Sequence, residues 1–287
     1  MTTRADVERL RTSTGRIVDL IRADLRRLFA SLDLSRPERA RDALLEAVPA
    51  LVREYGDAAA VVAAEWYEEI RAAQVGGAYA ARLAGTIPEA APISSVRYAA
   101  GHLFDRAFEA VDELGELVTI NKPADPAKAL ALLSGSLQRH VLYSSRETVA
   151  RNVRLDPAQP RFARIPTGPT TCAWCEMLAS RGFAYFTEAS AGDREGTGVG
   201  DDFHDDCDCQ VVAEFDREAH HIAGYDPDAM YDRYGRAREH YLNSDDPDLL
   251  AFLDSLDPDD KNRDMKAIAF SLRRLYPDQY KDGVHPH

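Results

Sequence analysis

Two short stretches decide the fold of the middle of this chain, TTCAWCEMLASRG at residues 170–182 and FHDDCDCQVVAEF at residues 203–215. The first contains a C-x2-C pair and the second an H-x2-C-x-C cluster, and together they hold all four cysteines of the chain. Thiolate sulfur and imidazole nitrogen are ligands that a structural, four-coordinate zinc ion prefers. The pattern therefore predicts a structural Zn2+ site with five candidate ligands: Cys172, Cys175, His204, Cys207 and Cys209.

One candidate is surplus, because a tetrahedral zinc ion takes four ligands. Residues two apart on a strand point to the same face, so Cys207 and Cys209 can share an ion. We favour the four cysteines, with His204 as the alternative fourth ligand or as a close neighbour. Two interpretations without a metal stay open: four buried free thiols, or two disulfides that form once a particle has left the cell.

Known catalytic zinc patterns do not fit these residues. A zinc deaminase places H-x-E before P-C-x-x-C, whereas His204 follows the C-x2-C pair and precedes Asp205-Asp206. The sequence contains no H-E-x-x-H, no G-x-S-x-G elbow and no phosphate-binding loop. We therefore predict no catalytic and no cofactor-binding residues, and keep a zinc-dependent protease or nuclease as the alternative. The aspartates between Asp201 and Asp208 form either a solvated loop or a site for a hard cation.

The residues before the cysteines predict a helical bundle or arm over residues 1–155. Apolar residues recur at helical spacing from Val18 to Leu32, which predicts the first helix. Ser35-Arg36-Pro37-Glu38 has the form of a capping box that begins a second helix. Gly56-Asp57 predicts a break before an alanine-rich third helix.

Two further helices complete this N-terminal segment. A fourth is expected to begin at Ser94 or Ser95 and to continue through Leu103, Phe108 and Val111 to about Leu117. Asp125 is suited to an N-cap with Pro126 in the first helical position, so a fifth helix is expected to run to roughly Val153.

From Asp156 onward the composition shifts to Gly, Pro, Thr and Asp, which predicts a small α+β zinc-knotted module over residues 156–215. It should contain a short helix from Ala173 to Arg181 and strands near Phe183–Phe186 and Cys209–Phe215. Residues 216–287 predict a C-terminal helical segment with helices near 231–241, 249–256 and 268–275. The expected fold class is therefore mainly α, in three consecutive segments.

Bulk composition limits the classes of partner. The net charge is −13, and binding to phosphate groups needs clustered Lys and Arg, so we expect no specific nucleic-acid partner. No apolar run approaches the roughly 18 residues of a membrane-spanning helix. The first residues, MTTRADVERL, do not resemble a signal peptide, so we expect synthesis in a reducing cytoplasm and no membrane partner.

The sequence RFARIPTGPTTCAWCEMLASRGFAYFTEASAG at residues 161–192, followed by FHDDCDCQVVAEF, resembles the MuF-like minor head proteins of actinobacterial phages. REYGDAAAVVAAEWYEEIRA at residues 53–72 is similar to the helical N-terminal part of these proteins. The resemblance is most specific over residues 160–215 and loosest in the C-terminal helices. The positions that fall on the family pattern are Cys172, Cys175, Gly182, Tyr185, His204, Cys207 and Cys209.

The resemblance implies a minor capsid component that acts in head morphogenesis. It implies association with the portal protein and with the major capsid or scaffold protein, and several copies per head. The implied location is the virion, in the capsid interior or at the portal vertex, after assembly in the host cytoplasm. Some relatives are described as capsid maturation proteases, but this sequence contains no protease motif that we recognise.

Overall fold

The computed structural model describes residues 1–111, 116–168, 170–183, 204–207 and 209–280. This part of the chain is mainly helical, which confirms the predicted class at that level. Its α-helices are α1 (Arg4–Ala30), α2 (Pro37–Gln74), α3 (Ala90–Ala100), α4 (Pro126–Leu155), α5 (Ala173–Ala179), α6 (Pro227–Asn243), α7 (Pro247–Ser255) and α8 (Arg263–Leu275). Its strands form two antiparallel pairs, β1 (Arg106–Val111) with β2 (Leu117–Lys122) and β3 (Arg161–Ile165) with β4 (Gln210–Glu214).

Helices α1 to α4 pack around the first hydrophobic core, in which Ile21, Leu25, Leu44 and Leu133 are fully buried. The predicted start of α4 is confirmed. The side chain of Asp125 accepts a hydrogen bond from the backbone of Lys128, with Pro126 in the first turn. The capping box expected at residues 35–38 is wrong, because α2 starts after Arg36 without a side-chain cap.

The break predicted at Gly56 is also wrong, since α2 continues through it as one helix of 38 residues. A Cβ atom at Gly56 would lie 2.8 Å from the Oγ atom of Ser144 and 2.9 Å from a methyl carbon of Thr86. Glycine therefore serves close packing of α2 against α4 here, and the hydrogen bonds of the surrounding helix outweigh its low helix propensity.

The helix predicted to run from Ser94 to Leu117 is wrong. Helix α3 already begins at Ala90 and ends at Ala100, and a β-hairpin follows in which Phe108 pairs with Ile120 and Ala110 with Val118. A β-branched run in β2 favours a strand. The side chains of β2 are all exposed.

The second core joins the ends of the helices to strands β3 and β4. Phe162 of β3 is buried with Val212 of β4, and both pack in a cluster that includes Trp66 of α2 and Val149 of α4. The predictions of α5 and of β4 are confirmed, whereas β3 was not predicted. Residues 184–186 of the strand expected near Phe183 lie outside the described residues.

The third core lies between α5 and the C-terminal helices, which confirms the prediction of helices after residue 216. Ala173 and Met177 of α5 are buried there with Ala237 of α6 and Leu272 of α8. None of the helices in the described ranges is both long and apolar enough to cross a membrane.

Candidate metal centre

The pairing of β3 with β4 and the packing of α5 bring the two halves of the cysteine motif together. Cys172 is the N-cap of α5, and its Sγ atom accepts a hydrogen bond of 3.1 Å from the backbone N–H of Cys175. His204 and Cys207 lie on one turn, in which the N–H of Cys207 donates to the carbonyl oxygen of His204. Cys209 directly precedes β4. Although 28 residues lie between Cys175 and His204, the two halves of the motif meet because α5 positions the first half and β4 adjoins the second.

Contacts between donor atoms link these halves. The Nε2 atom of His204 lies 2.8 Å from the Sγ atom of Cys172 and 3.3 Å from that of Cys175. The Sγ atoms of Cys175 and Cys207 lie 3.5 Å apart. With zinc bonds of about 2.3 Å to sulfur and about 2.0 Å to nitrogen, neighbouring ligand atoms of a tetrahedron are roughly 3.5–3.8 Å apart. The contacts of Cys175 approach these values, and the shorter contact between Cys172 and His204 is a hydrogen bond.

The five predicted ligands form two overlapping triplets, in each of which the ligand atoms lie within 4.8 Å of one another. One triplet consists of Cys172, Cys175 and His204, and the other of Cys175, Cys207 and Cys209. Cys175 belongs to both and therefore lies at the centre of the cluster. All five candidates are brought together, which means that the cluster can hold a metal ion.

The cluster is buried and its thiols have perturbed acidities. The four cysteines are at most 3% exposed and form no disulfide. The hydrogen bond with Cys175, followed by that with His204, lowers the pKa of Cys172 to about 5. Burial lowers the pKa of His204, but the hydrogen bond and the charge of Cys172 outweigh burial and raise it to about 9. Without a metal ion the pair is therefore a Cys172 thiolate with a His204 imidazolium. The thiolate is the form that binds metals, and His204 would release the proton of Nε2 on binding one.

The imidazole of His204 is held in one orientation. Its Nδ1 atom lies 2.6 Å from the carbonyl oxygen of Asp205, so Nδ1 carries the proton and Nε2 is directed at the sulfurs. The carboxylate of Asp205 is itself fixed by the Oγ atom of Ser136 at 3.0 Å and by the guanidinium of Arg139 at 3.0 Å. A second hydrogen bond that fixes the tautomer is the usual arrangement for a metal-binding histidine.

Helices α1 and α4 hold the loop that carries the second half of the motif. Arg22 of α1 forms an ion pair of 2.6 Å with Asp206, and Gln138 of α4 donates to the carbonyl oxygen of Cys207. Gly135 faces this loop, and a Cβ atom there would lie 3.1 Å from the side chains of Asp205 and Asp206. These two aspartates are therefore engaged by protein groups. The others of the acidic run, Asp201, Asp202 and Asp208, lie outside the described residues.

Sequence reasoning missed two arginines at this site. The Nη2 atom of Arg164, on β3, lies 3.7 Å from the Sγ atoms of both Cys175 and Cys207. Arg146, on α4, donates to the carbonyl oxygens of Cys207 and Cys209 at 3.0–3.1 Å. The available signal was a charged residue inside the otherwise apolar FARI of β3, eight residues before Cys172.

The other side of α5 connects the centre to the C-terminal helices. Trp174, between the first two cysteines, packs against both the cysteine cluster and the third core. The carboxylate of Glu176 is buried and accepts hydrogen bonds from Arg233 at 2.6 Å and from the hydroxyl of Tyr280 at 2.9 Å. The position of Cys175 is therefore coupled to α6 and to the end of the described chain.

Fold and site together define a mainly helical protein with a buried cysteine–histidine cluster able to hold a metal ion. Residues 1–237 match the model of the family described as VG15 protein, and the chain belongs to this family.

Two curated phage proteins are similar to part of the chain. The Gene 15 protein of Mycobacterium phage D29 is 32% identical over 125 residues, which cover 34% of this chain and 45% of that protein. The Gene 15 protein of Mycobacterium phage L5 is 32% identical over 124 residues, covering 32% and 42% respectively. The chain thus spans less than half the length of these relatives, and the family is a phage protein family. No solved structure matches the chain significantly.

Proposed function

We propose that this chain is a structural minor capsid protein that acts in head morphogenesis, next to the portal and the inner face of the capsid, and that its cysteine–histidine cluster holds a structural Zn2+. The family membership and the phage relatives support an origin in a phage. The assembly role is supported by the resemblance of residues 160–215 to MuF-like minor head proteins. Its expected partners are the portal protein and the major capsid or scaffold protein.

The burial of the cluster is the observation that carries the structural role of the metal. A catalytic zinc keeps one coordination position open to water or substrate, whereas a structural zinc is enclosed by four protein ligands. Five donors surround this site and all four sulfurs are buried. The donor set of thiolates and one imidazole suits zinc rather than magnesium or calcium, which prefer oxygen ligands. These observations favour a folding element over a zinc-dependent protease or nuclease.

A structural ion at this position would link two parts of the chain that are distant in sequence, residues 172–175 and residues 204–209. It would tie α5 and the C-terminal helices to the loop that α1 and α4 hold through Arg22 and Gln138. We propose that the resulting rigid surface is what docks on the head. Loss of zinc would then loosen the docking surface while leaving the first hydrophobic core intact.

The first test is the metal content of the purified chain by mass spectrometry, before and after chelation. About one zinc per chain, with a lower melting temperature after chelation, is the expected result, because an ion that binds only the folded state stabilises it. A chain purified without zinc that takes none up would contradict the metal centre.

The second test follows incorporation into phage heads. Cys172→Ser or Cys207→Ser removes one donor, and heads assembled with either variant are expected to lack the protein. Ala173→Ser is the matched control, because it adds a hydroxyl at the neighbouring buried position and leaves all five donors in place. Normal incorporation of both cysteine variants would refute the structural role, whereas absence of the wild-type chain from heads would refute the assembly role.

A further inference from the structure

Arg164 is among the largest fully buried side chains of the protein, with 1% of its surface exposed. It lies on β3, and its guanidinium reaches the cysteine cluster from this strand. The Nη2 atom is 3.7 Å from the Sγ atom of Cys175 and 3.7 Å from that of Cys207, within the range of N–H···S hydrogen bonds. One guanidinium nitrogen thus contacts a sulfur from each half of the motif.

A second buried guanidinium approaches from α4. Arg146 is 3% exposed and donates to the carbonyl oxygens of Cys207 and Cys209. These carbonyl groups belong to the residues whose side chains point into the cluster. Two positive charges therefore flank the cysteines at short range, in a region from which water is largely excluded.

Burying a guanidinium is costly unless an anion of good geometry lies beside it. A neutral thiol or a disulfide sulfur is only a weak acceptor and carries no charge. A zinc ion with three or four thiolates carries net negative charge and is a strong acceptor of hydrogen bonds. The contacts of Arg164 therefore agree with thiolate sulfur, which a metal centre would supply at both Cys175 and Cys207, better than with neutral thiols or disulfides.

We propose that Arg164 is a positioning residue of the metal centre: it donates hydrogen bonds to the ligand thiolates of Cys175 and Cys207 and, with Arg146, neutralises the excess negative charge of the ion and its sulfurs. This inference rests on the proposed metal centre. Three or four thiolates around one Zn2+ leave one or two net negative charges, which the two guanidinium groups offset.

The experiment compares Arg164→Met, Arg164→Lys and, as control, Arg161→Met. Arg161 lies on the same strand, but its guanidinium donates to the backbone carbonyl oxygens of Asp216, Arg217 and Ala219. Zinc affinity is measured by competition with a chromophoric chelator, and the sulfur-to-metal charge-transfer band by absorption after loading with Co2+. The cobalt band reports on the sulfurs directly, so a general loss of stability does not move it.

Arg164→Met is expected to weaken zinc binding by about 10–100-fold, the usual effect of removing a group that hydrogen-bonds to a metal ligand. It should also shift the cobalt band to longer wavelength, because thiolates without hydrogen bonds are better electron donors. Arg164→Lys keeps the charge and should recover part of the affinity, whereas Arg161→Met should change neither quantity.

Wild-type affinity and an unshifted band in Arg164→Met would overturn the inference while leaving the metal centre standing. If Arg164→Met does not fold, the comparison is made with Arg164→Lys instead. A wild-type zinc affinity and an unshifted cobalt band in Arg164→Lys would then overturn the proposal. A wild-type chain that binds neither Zn2+ nor Co2+ would refute the metal centre itself, which is a different result.

Discussion

The Nε2 atom of His204 lies 2.8 Å from the Sγ atom of Cys172, although 31 residues separate the two in the chain. This contact, together with the hydrogen bond from Nδ1 to the carbonyl oxygen of Asp205, directs the Nε2 atom of the imidazole into the cysteine cluster. The sequence favoured the four cysteines as the ligand set. The geometry makes His204 the stronger candidate for one of the four positions.

The first prediction concerns this choice of ligand. His204→Ala is expected to weaken zinc binding at least tenfold, because it removes a donor whose orientation is already fixed. Chelator competition measures the affinity, and His220→Ala, at an exposed histidine, is the control. An unchanged affinity in His204→Ala would show that the four cysteines suffice, as the sequence pattern suggested.

The second prediction concerns the packing of α4 against the loop of residues 204–207, which carries His204 and Cys207. Gly135→Ala places a Cβ atom 3.1 Å from the side chains of Asp205 and Asp206, so the loop that carries His204 must move away from the helix. We expect a loss of about 1–3 kcal/mol in the free energy of unfolding, typical of overpacking, together with weaker zinc binding. Denaturant titration and chelator competition measure the two effects.

Gly15→Ala is the matched control for this substitution. Gly15 lies within α1 and a Cβ atom there would meet no neighbour within 4 Å. Its replacement should raise stability by about 0.5–1 kcal/mol through helix propensity alone. Equal effects of the two substitutions would show that the loop is not packed against α4 as described.

The third prediction concerns the ion pair behind α5. Arg233→Met leaves the buried carboxylate of Glu176 with the hydroxyl of Tyr280 but without its cation. Because Arg233 is partly exposed, we expect a moderate loss of about 2 kcal/mol, within the range for hydrogen bonds to charged groups. Thermal and denaturant unfolding measure it, with exposed Arg238→Met on the same helix as control. A loss no larger than that of the control would contradict the coupling of α5 to α6.

The fourth prediction is a pH dependence that originates at His140. Burial, with the charge of Arg139, lowers the pKa of His140 to about 3 from its ordinary 6.5. Between these values the unfolded chain binds a proton that the folded protein does not, so stability is complete above pH 6.5 and falls as the pH drops toward 3. The slope from this group is at most about 1.4 kcal/mol per pH unit.

The substitution His140→Gln tests this dependence, since glutamine can replace the hydrogen bond of Nε2 with the Oγ atom of Ser95 without titrating. Free energies of unfolding of both proteins are measured from pH 7 to pH 4.5 at one zinc concentration, and that of the wild type should fall more steeply than that of the variant as the pH drops. Parallel curves would assign the acid sensitivity to other groups.

The sequence predicts well those features that depend on local pattern. Asp125-Pro126 marks the start of α4, and the alternation after Cys209 marks β4, because capping and strand periodicity are properties of neighbouring residues. The five metal-site candidates are brought together as expected. The C-x2-C and H-x2-C-x-C spacings indicate a metal site without any knowledge of the helices that surround it.

Features that depend on tertiary contact were missed. Gly56 breaks isolated helices but here allows α2 to approach Ser144 on α4. The hairpin after α3 depends on cross-strand pairs such as Phe108 with Ile120. The spacing of Leu103, Phe108 and Val111 along the sequence also suits a helix. Arg164 interrupts the apolar FARI of β3, but its contact with the cysteines can be inferred only once β3 is placed beside them. In each case the deciding neighbour is far away in the chain.

The hydrogen bond between Tyr280 and Glu176 has a consequence for the order of events during synthesis. Cys175 lies on α5, and the buried carboxylate of the next residue, Glu176, is bound by a residue that leaves the ribosome more than one hundred positions later. At the other end, Thr2 binds Glu214 through its backbone N–H. Contacts of such separation are slow to form, because a long loop must be closed before they stabilise the chain. In the proposed metal centre, the support of the ligands on α5 would therefore be complete only after Tyr280 has been translated, and an ion bound earlier would be held by a partly supported site.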